Sequence, residues 1–444
     1  MRVAWASGLL VLGAAAVWIT ALPAPFDFDD LADVVENPAA QAATFLERLG
    51  HTVRPLLKAS YALQDWLHGP SSHRFHAGNV LLHLGAGLAA LALLRRLCRQ
   101  AGQGEAVAFA AVALWIVHPA LTASVTQVAG RSAVLSGLLL LGALALAVGP
   151  PTRARLRGAG LLAVLAPLAR ETALVLPLLL LWWQLTLGRG EGAAWRRALP
   201  VWAGTLLAAG AILALPRHRE LIEYSLQARG PLDALRGNAV AIPAMLRFLA
   251  LPWELSIDPA QPRPWGWGSW QVLAALAGLL ASGLAALLLR RRAPLAAFAL
   301  GWTLLCLLPS NSFLWRDEPV GLRPLYLAAL GPALLLALAL ARHRGGRALA
   351  IALILALGIQ TVGRNLLHAS PLALWQEAAA KAPDKARPNI RYGLLLLELG
   401  CLPEAEAALR TGLRLDPGSR AARQGLERLA LDDGGRPDEC ELLD

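Results

Sequence analysis

Charged residues are scarce in this 444-residue chain. Asp, Glu, Lys and Arg make up 16% of it, whereas soluble globular proteins contain about 25%. Hydrophobic residues make up 56%, and they come in blocks close to the length of a bilayer crossing. Examples are residues 133–148, 272–289 and 348–361. This composition excludes an ordinary soluble enzyme and predicts an all-α polytopic membrane protein.

Cysteine and lysine are also rare. The four cysteines, Cys98, Cys306, Cys401 and Cys440, are scattered and show neither the spacing of a zinc site nor that of a redox motif. A disulfide between Cys401 and Cys440 would require the end of the chain to lie in an extracytoplasmic, oxidising compartment. The cysteines therefore indicate no metal centre.

The net charge of +11 comes almost entirely from arginine. The segment after Asn365 contains 13 acidic and 10 basic residues, so the positive excess belongs to the membrane part. There it lies in short loops, which is the distribution typical of cytoplasmic loops in membrane proteins. Nucleic acid is therefore not an expected partner.

Five arginine clusters follow apolar blocks and predict the topology. They are Arg95, Arg96 and Arg99; Arg153, Arg155 and Arg157; Arg189, Arg196 and Arg197; Arg290–Arg292; and Arg342, Arg344 and Arg347. If all five are cytoplasmic, an uncleaved first span begins inside and loop 23–75 lies outside. The pattern predicts about eleven crossings, with an extracytoplasmic C-terminal segment.

Two segments need separate treatment. Residues 158–187 carry Arg170 and Glu171 in their middle. A single span would bury this pair and place the flanking arginine clusters on opposite sides, so we expect two short helices that meet outside at Arg170–Glu171. Residues 237–253 are expected to be interfacial or re-entrant, because a full crossing there would move Arg290–Arg292 to the outside.

The last 80 residues show a repeat pattern in place of long apolar blocks. Pro383 and Pro417 are 34 residues apart, and so are Ala378 and Gly412. This is the period of tetratricopeptide (TPR) repeats, which are pairs of helices. The sequence predicts two domains, a membrane domain at 1–364 and an extracytoplasmic TPR-like tail at 365–444. One full repeat cannot bury its own faces, so the tail should contact the membrane domain or a partner.

The first external loop contains an acidic pair, Asp29 and Asp30. A carboxylate just outside a span can accept a proton from an attacking hydroxyl. The alternatives are a solvated loop, a helix N-cap, or a divalent-cation site built from oxygen ligands. No metal or other cofactor is expected, although a cation at this pair is not excluded.

Other polar residues lie at or near the same predicted face. His76, Asn79 and His83 share one side of a helix, which indicates either polar packing or substrate contact. Arg131, Arg170 and Arg323 converge on the external side, where three guanidinium groups would suit a phosphate. The alternative for these arginines is snorkelling towards lipid headgroups, with Arg170 and Glu171 as a structural pair.

The order of the motifs resembles one known group, the TMTC and protein O-mannosyltransferase families, which have the GT-C glycosyltransferase fold. The motifs that carry this resemblance are Asp29-Asp30, Arg54-Pro-Leu, His76-x-x-Asn79-x-x-x-His83, His118-Pro, Gly130-Arg131-Ser, Arg170-Glu171-Thr and Arg323-Pro-Leu-Tyr326-Leu. The resemblance runs from Phe26 to Pro417. It implies a GT-C-like bundle followed by the TPR-like tail.

The resemblance also implies a reaction and a set of site residues. The implied donor is a sugar linked to polyprenyl phosphate, and the implied acceptor is a hydroxyl at the external face. Asp29 or Asp30 is the implied catalytic group. Substrate contacts are expected from Arg54, His76, Asn79, His83, His118, Arg131, Arg170, Glu171, Arg323 and Tyr326. Among these, Arg170 would contact the donor phosphate.

Two functions therefore compete. The first is transfer of a sugar, with mannose as the candidate, to an exported protein or envelope acceptor at the bacterial inner membrane. Its partners would be the lipid bilayer, the lipid-linked sugar and a polypeptide held by the tail. The second is a non-catalytic envelope scaffold, favoured by Leu322, which stands where relatives usually have Glu. A transporter is less favoured, because the sequence shows no inverted repeat.

Overall fold

A computed structural model describes residues 2–188, 194–262, 266–431 and 440. Arg189, a member of the third arginine cluster, lies outside these residues. The chain forms two compact units. The first comprises Met1–Pro252 and Pro262–Asn365, and the second comprises Trp253–Gln261 and Leu366–Asp444. In the described part of the chain every regular element is a helix.

Seventeen α-helices occur in the described residues up to His368. They are α1 (Arg2–Trp18), α2 (Phe45–Arg48), α3 (Pro55–His68), α4 (Ser72–Gln100), α5 (Glu105–Ile116), α6 (Thr122–Val125), α7 (Arg131–Ala147), α8 (Arg153–Ala169), α9 (Leu176–Thr186), α10 (Ala194–Ala214), α11 (Pro216–Ala228), α12 (Pro231–Ala250), α13 (Trp270–Leu289), α14 (Pro294–Leu307), α15 (Leu325–Ala328), α16 (Leu330–Leu340) and α17 (Gly346–His368). Short 3₁₀ turns link several of them, and Leu31–Val35 forms one π-helical turn.

Several helices are long and apolar enough to cross a membrane. Within the described residues there are six: Ala4–Ala21, Ser72–Gln100, Val128–Ala147, Arg196–Ala214, Trp270–Leu289 and Gly346–His368. A seventh span is possible where Glu105–Ile116 and Pro119–Val125 meet at a bend of 54°. The prediction of an all-α multi-span membrane protein is confirmed. The count of eleven crossings stays a prediction.

Buried tryptophans stabilise the places where spans are interrupted. Trp18 Nε1 donates to the Ile116 carbonyl at 2.7 Å, beside the bend that follows α5. Trp115 Nε1 donates to the Tyr326 carbonyl, also at 2.7 Å, in the short helix α15. In a membrane, backbone carbonyls freed by a break must find a partner within the protein. These indole groups supply that partner.

The helical path is interrupted at Arg170, as the charge pattern predicts. Helix α8 ends at Ala169 and Arg170 is extended, with φ −162° and ψ 128°. A 3₁₀ turn, Glu171–Val175, leads into α9, and Pro177 lies in the first turn of α9, where its missing N–H costs nothing. The two-helix prediction for residues 158–187 is confirmed, while its side of the membrane stays a prediction.

Residues 237–253 fall largely in α12 (Pro231–Ala250). Among the described helices, α12 is not one of those long and apolar enough to span, because it carries Asp233, Arg236 and Arg247. Its polar composition agrees with an interfacial helix, and this placement stays a prediction.

Within the described residues, the second unit contains four further helices and one returning segment. The helices are α18 (Pro371–Lys381), α19 (Ala386–Glu398), α20 (Leu402–Leu415) and α21 (Arg420–Leu429). A Cβ atom on Gly412 would lie 2.3 Å from Ile390 Cγ1, so glycine lets α19 and α20 approach closely. Assignment of these helices to the TPR class stays a prediction.

The segment Trp253–Gln261 comes from the middle of the chain, yet it belongs to this second unit. Buried Asp258 accepts hydrogen bonds from Lys385 and from Arg387, whose Nε lies 2.8 Å from Oδ2. Lys381 Nζ donates to the carbonyls of Trp253 and Leu255 at 2.9 and 2.7 Å. A disulfide joins Cys401 to Cys440. The sequence analysis predicted that the tail needs a supporting surface but did not identify this segment.

Candidate active site

Asp30 is an internal anchor of the first long loop. Its side chain is 3% exposed. Oδ1 accepts the Ala129 N–H at 2.7 Å and Oδ2 accepts the Val128 N–H at 3.2 Å. Burial raises the pKa of Asp30 to about 7, and the two backbone hydrogen bonds oppose that rise. Asp30 therefore fixes the loop to the turn that precedes α7.

Asp29 has a different environment. Its side chain is 36% exposed, and Oδ2 lies 2.7 Å from Nη2 of Arg323. Arg323 also donates to Oε1 of Gln127 at 3.3 Å, and Gln127 immediately precedes the turn that holds Asp30. The two adjacent aspartates therefore have different roles: Asp30 holds the loop in place, and Asp29 pairs with Arg323. Only the carboxylate of Asp29 is open to a substrate.

A strained residue precedes this pair. Phe28 has φ +53°, in the left-handed region that side chains with a bulky Cβ substituent disfavour. The Leu31 N–H donates to the Phe28 carbonyl at 3.2 Å, which closes a tight turn over Asp29 and Asp30. Strain of this kind costs about 1–3 kcal/mol and persists only where the surrounding structure enforces it. The turn places the two carboxylates in their different surroundings.

Glu171 pairs with Arg54, not with Arg170. Nε of Arg54 lies 3.1 Å from both carboxylate oxygens of Glu171, and Nε2 of His218 lies 3.1 Å from Oε1. The expected Arg170–Glu171 structural pair is therefore wrong within the described residues. The extended backbone at Arg170 sends the two neighbouring side chains to different partners. Arg54 itself has φ +57°, so a second strained residue adjoins the site.

Arg170 makes no ion pair in the described part of the chain. It is 8% exposed, and its Nη1 donates to Ser132 Oγ at 3.0 Å. It lies within electrostatic range of Arg54, Arg316 and Arg323. Four guanidinium groups from three interruptions of the helical bundle thus surround one region. Asp29 pairs with Arg323, Glu171 pairs with Arg54, and Glu318 interacts electrostatically with Arg316. The positive charge of Arg170 therefore suits an anion such as phosphate.

Arg316 is a member of this cluster that the sequence analysis missed. The available signal was its position seven residues before Arg323 in the same polar loop. Arg170 and Arg323 also line one cavity of about 20 Å³. That volume is too small for a sugar phosphate, so a substrate would have to displace the loop between α14 and α15.

Arg131 supports the fold beneath the site. It is 1% exposed, and its guanidinium stacks 4.6 Å from the Tyr61 ring centroid. Its N–H groups donate to Asn79 Oδ1, Gln64 Oε1 and the carbonyls of Ser60 and Phe75. Substrate contact by Arg131 does not fit this geometry, because its donors are already satisfied inside the protein.

The shared face of His76, Asn79 and His83 points into the core. Nδ2 of Asn79 donates to the carbonyls of Val125 and Gln127 at 3.1 and 3.0 Å. The ring nitrogens of His83 lie 2.8 Å from the Tyr326 hydroxyl and 2.9 Å from the Ile116 carbonyl. All of these side chains are buried. Polar packing, one of the two alternatives from the sequence, describes Asn79 and His83, whereas both ring nitrogens of buried His76 are without a hydrogen-bond partner among the described residues. Substrate contact by Asn79, His83 or Tyr326 does not fit this burial.

His118 also has a structural position. Its Nδ1 accepts the Ala120 N–H at 3.1 Å and so caps the turn that starts at Pro119. Its Nε2 lies 3.1 Å from the Leu249 carbonyl in α12. A predicted substrate contact through His118 does not fit, because both ring nitrogens are engaged at the bend of the span.

Gly130 explains why the Gly-Arg-Ser motif begins with glycine. A Cβ atom there would lie 2.5 Å from the carbonyl oxygens of Ala123 and Ser124. Only glycine allows the Val128–Gly130 turn to fold against α6. This turn presents the two N–H groups that hold Asp30.

The acidic pair Asp29–Asp30 is also the candidate cation site of the sequence analysis. Among the described residues no group of three or more His, Cys, Asp and Glu side chains converges. Both oxygens of Asp30 accept backbone hydrogen bonds, and Asp29 pairs with Arg323. Metal dependence stays untested by this geometry.

Comparison with known proteins confirms the resemblance seen in the motif order. The chain is 31% identical over 158 residues to the mouse protein O-mannosyl-transferase TMTC1, covering 30% of this chain and 16% of that protein. It is 29% identical over 154 residues to the human protein O-mannosyl-transferase TMTC1, covering 31% and 17%. The match thus spans about a sixth of the length of these relatives. No family model matches the chain.

One solved structure with a similar arrangement is the Archaeoglobus fulgidus oligosaccharyltransferase tethered to an acceptor peptide that contains an NVT sequon. The superposition covers 98% of this chain and 59% of that one, with 12% identity and a TM-score of 0.41.

Proposed function

We propose that this protein is a GT-C-type membrane glycosyltransferase. It transfers a sugar, with mannose as the candidate, from a polyprenyl-phosphate donor to a hydroxyl of an exported polypeptide or envelope acceptor. The observation that carries the proposal is the pair of Asp29 and Arg323 at 2.7 Å, beside the unpaired guanidinium of Arg170. This pair supports the proposal, because a solvent-accessible carboxylate lies next to cations that suit a phosphate.

In the proposed reaction, each charged side chain of the site has a defined role. Asp29 takes the proton of the acceptor hydroxyl. The hydroxyl oxygen attacks the anomeric carbon, and the bond from that carbon to the phosphate oxygen breaks. Arg170 and Arg323 stabilise the negative charge that develops on the departing polyprenyl phosphate. Asp30 positions Asp29 through the loop without touching the substrate.

The proposed location is the bacterial inner membrane, with the N-terminus in the cytoplasm and the tail outside. The disulfide between Cys401 and Cys440 supports an extracytoplasmic tail, because disulfides persist in oxidising compartments. Cysteine-accessibility labelling at Arg423, an exposed residue, tests this orientation. Labelling of intact cells supports it, and labelling only after permeabilisation refutes it.

The second candidate is a non-catalytic scaffold whose tail recruits envelope proteins. It is favoured by Leu322, which is 5% exposed and places an apolar side chain where relatives usually have a carboxylate. In this case the charged cluster would be structural.

One experiment separates the two candidates. Purified protein in lipid nanodiscs is supplied with radiolabelled mannosyl polyprenyl phosphate and a Ser/Thr-rich peptide. Transfer by the wild type and none by Asp29→Asn support the enzyme. No transfer by the wild type, together with a cellular phenotype from deletion of residues 371–444 alone, supports the scaffold.

A further inference from the structure

A long apolar groove runs along three of the spans, away from the charged site. It has a volume of about 710 Å³, and it lies between α1, α5 and α17. Its walls are aliphatic or small, and they include Gly13, Ala113, Ile354 and Gly358. Because these helices are membrane spans, water does not fill such a groove. Its size falls in the range of small-molecule binding sites.

One end of the groove carries positive charge. Arg347 is the charged residue in its lining. Its side chain is exposed, and it makes no hydrogen bond or ion pair to any described residue. It also lies in the first turn of α17, where no acidic residue is present. The N-terminus of a helix is itself partly positive, so an arginine there is unfavourable unless an anion is bound.

The groove has the dimensions of a lipid chain. Its lining on α17 runs from Arg347 to Val362. At 1.5 Å per residue this is about 22 Å, whereas one leaflet of the hydrocarbon core is about 15 Å thick. A chain anchored at Arg347 therefore reaches the middle of the bilayer inside the groove.

We propose that this groove binds one anionic phospholipid, with an acyl chain between α1, α5 and α17 and its phosphate at Arg347. The site is separate from the proposed sugar-transfer site and does not depend on that function. The lipid fills the gap between α1 and α17 and satisfies the charge at the start of α17.

The chain offers a matched pair of variants for the acyl chain. Gly13 and Gly8 both lie on α1, and a Cβ atom at either would meet nothing within 4 Å. Gly13 lines the groove, whereas Gly8 does not. Gly13→Leu should therefore fill the groove without disturbing the fold, and Gly8→Leu is the control. For the headgroup, Arg347→Gln is compared with Arg344→Gln, since Arg344 does not line the groove.

Native mass spectrometry provides the test, with protein released from nanodiscs of equal parts phosphatidylglycerol and phosphatidylcholine. We expect the wild type, Gly8→Leu and Arg344→Gln to retain one phosphatidylglycerol. In Gly13→Leu the fraction of protein with bound phosphatidylglycerol should fall at least about tenfold. The headgroup contact with Arg347 is weak by itself when the acyl chain cannot enter the groove. Arg347→Gln should bind both lipids equally. Equal retention of phosphatidylglycerol by Gly13→Leu and Gly8→Leu would overturn the proposal, and so would a wild type that does not prefer phosphatidylglycerol over phosphatidylcholine. A wild-type dimer that Gly13→Leu abolishes would also overturn it, because the groove would then hold a second copy of the chain.

Discussion

Asp29 and Arg323 are 294 residues apart in the chain, yet their side chains form an ion pair with Oδ2 and Nη2 2.7 Å apart. The pair joins the first long loop to the loop before α15. Adjacent Asp30 is held by backbone N–H groups of a third segment, Val128–Gly130. Three interruptions of the helical bundle are thereby tied together at one point, and of the two aspartates only Asp29 remains accessible there.

The first prediction concerns Asp29. Asp29→Asn keeps the shape of the side chain but cannot accept a proton, so sugar transfer should fall about 10²- to 10⁴-fold while the protein stays folded. Glu36→Gln is the matched control, because Glu36 lies exposed in the same loop and should behave like the wild type. Full activity in Asp29→Asn would remove Asp29 as the base.

The second prediction concerns the buried charge of Asp30. Burial raises its folded-state pKa from 3.8 to about 7, so the folded protein favours the protonated form. The contribution of Asp30 to stability is therefore complete below about pH 4 and is lost as the pH rises to about 7. Between these values the melting temperature of the wild type should decline relative to that of Asp30→Asn, which does not titrate.

The measurement is thermal unfolding in detergent from pH 4 to pH 8, comparing wild type with Asp30→Asn at each pH. Glu36→Gln serves as a control, because Glu36 lies exposed in the same loop and its substitution should leave the pH dependence of the wild type in place. Parallel pH profiles for wild type and Asp30→Asn would contradict the inferred burial of the carboxyl group.

The features predictable from sequence were those that depend on composition and local charge. Apolar block length predicted the multi-span helical class, and the position of Arg170 between two arginine clusters predicted the helix break. The sequence could not predict which of Asp29 and Asp30 is buried and which is accessible. The difference depends on which carboxylate meets the Val128–Gly130 turn, and that contact joins residues about 98 positions apart.

Residue type also misled the prediction for several polar side chains. Asn79, His83 and Arg131 share chemistry with substrate-binding groups, and only their burial shows that they satisfy backbone carbonyls inside the protein. In a membrane such carbonyls require internal partners. A polar residue inside a span therefore has a structural use that the sequence cannot distinguish from substrate binding.

The third prediction concerns Arg170. Arg170→Ala should raise the KM for the lipid-linked donor about 10- to 100-fold, because a charge-assisted contact to phosphate is lost. Arg170→Lys should recover only part of this, since an ammonium group lacks the planar fork of guanidinium. Arg157→Ala is the control, because Arg157 is exposed on α8, the helix that ends just before Arg170. An unchanged KM in Arg170→Ala would place the phosphate elsewhere.

The fourth prediction concerns the strained turn at Phe28. Glycine adopts φ +53° without cost, whereas a β-branched side chain strongly resists it. Phe28→Gly should therefore be more stable than Phe28→Val by about 1–3 kcal/mol, and it should retain more transfer activity because Asp29 keeps its position. Melting temperatures and transfer rates of the two variants check this. Equal stability would show that the turn relaxes away from positive φ.

The fifth prediction concerns the disulfide in the second unit. Cys401 and Cys440 are bonded across 39 residues, and closing a loop of this length stabilises by roughly 3–4 kcal/mol in the chain-entropy description. Cys98 and Cys306 are free and buried. Protein denatured without reductant should therefore expose two thiols to alkylation, and four after reduction. Cys440→Ser should lower the unfolding temperature of the tail, whereas Cys98→Ser, which breaks no bond, should leave it unchanged. Four reactive thiols before reduction, in protein isolated from native membranes, would mean that the tail never meets an oxidising compartment, and the proposed orientation would then be reversed.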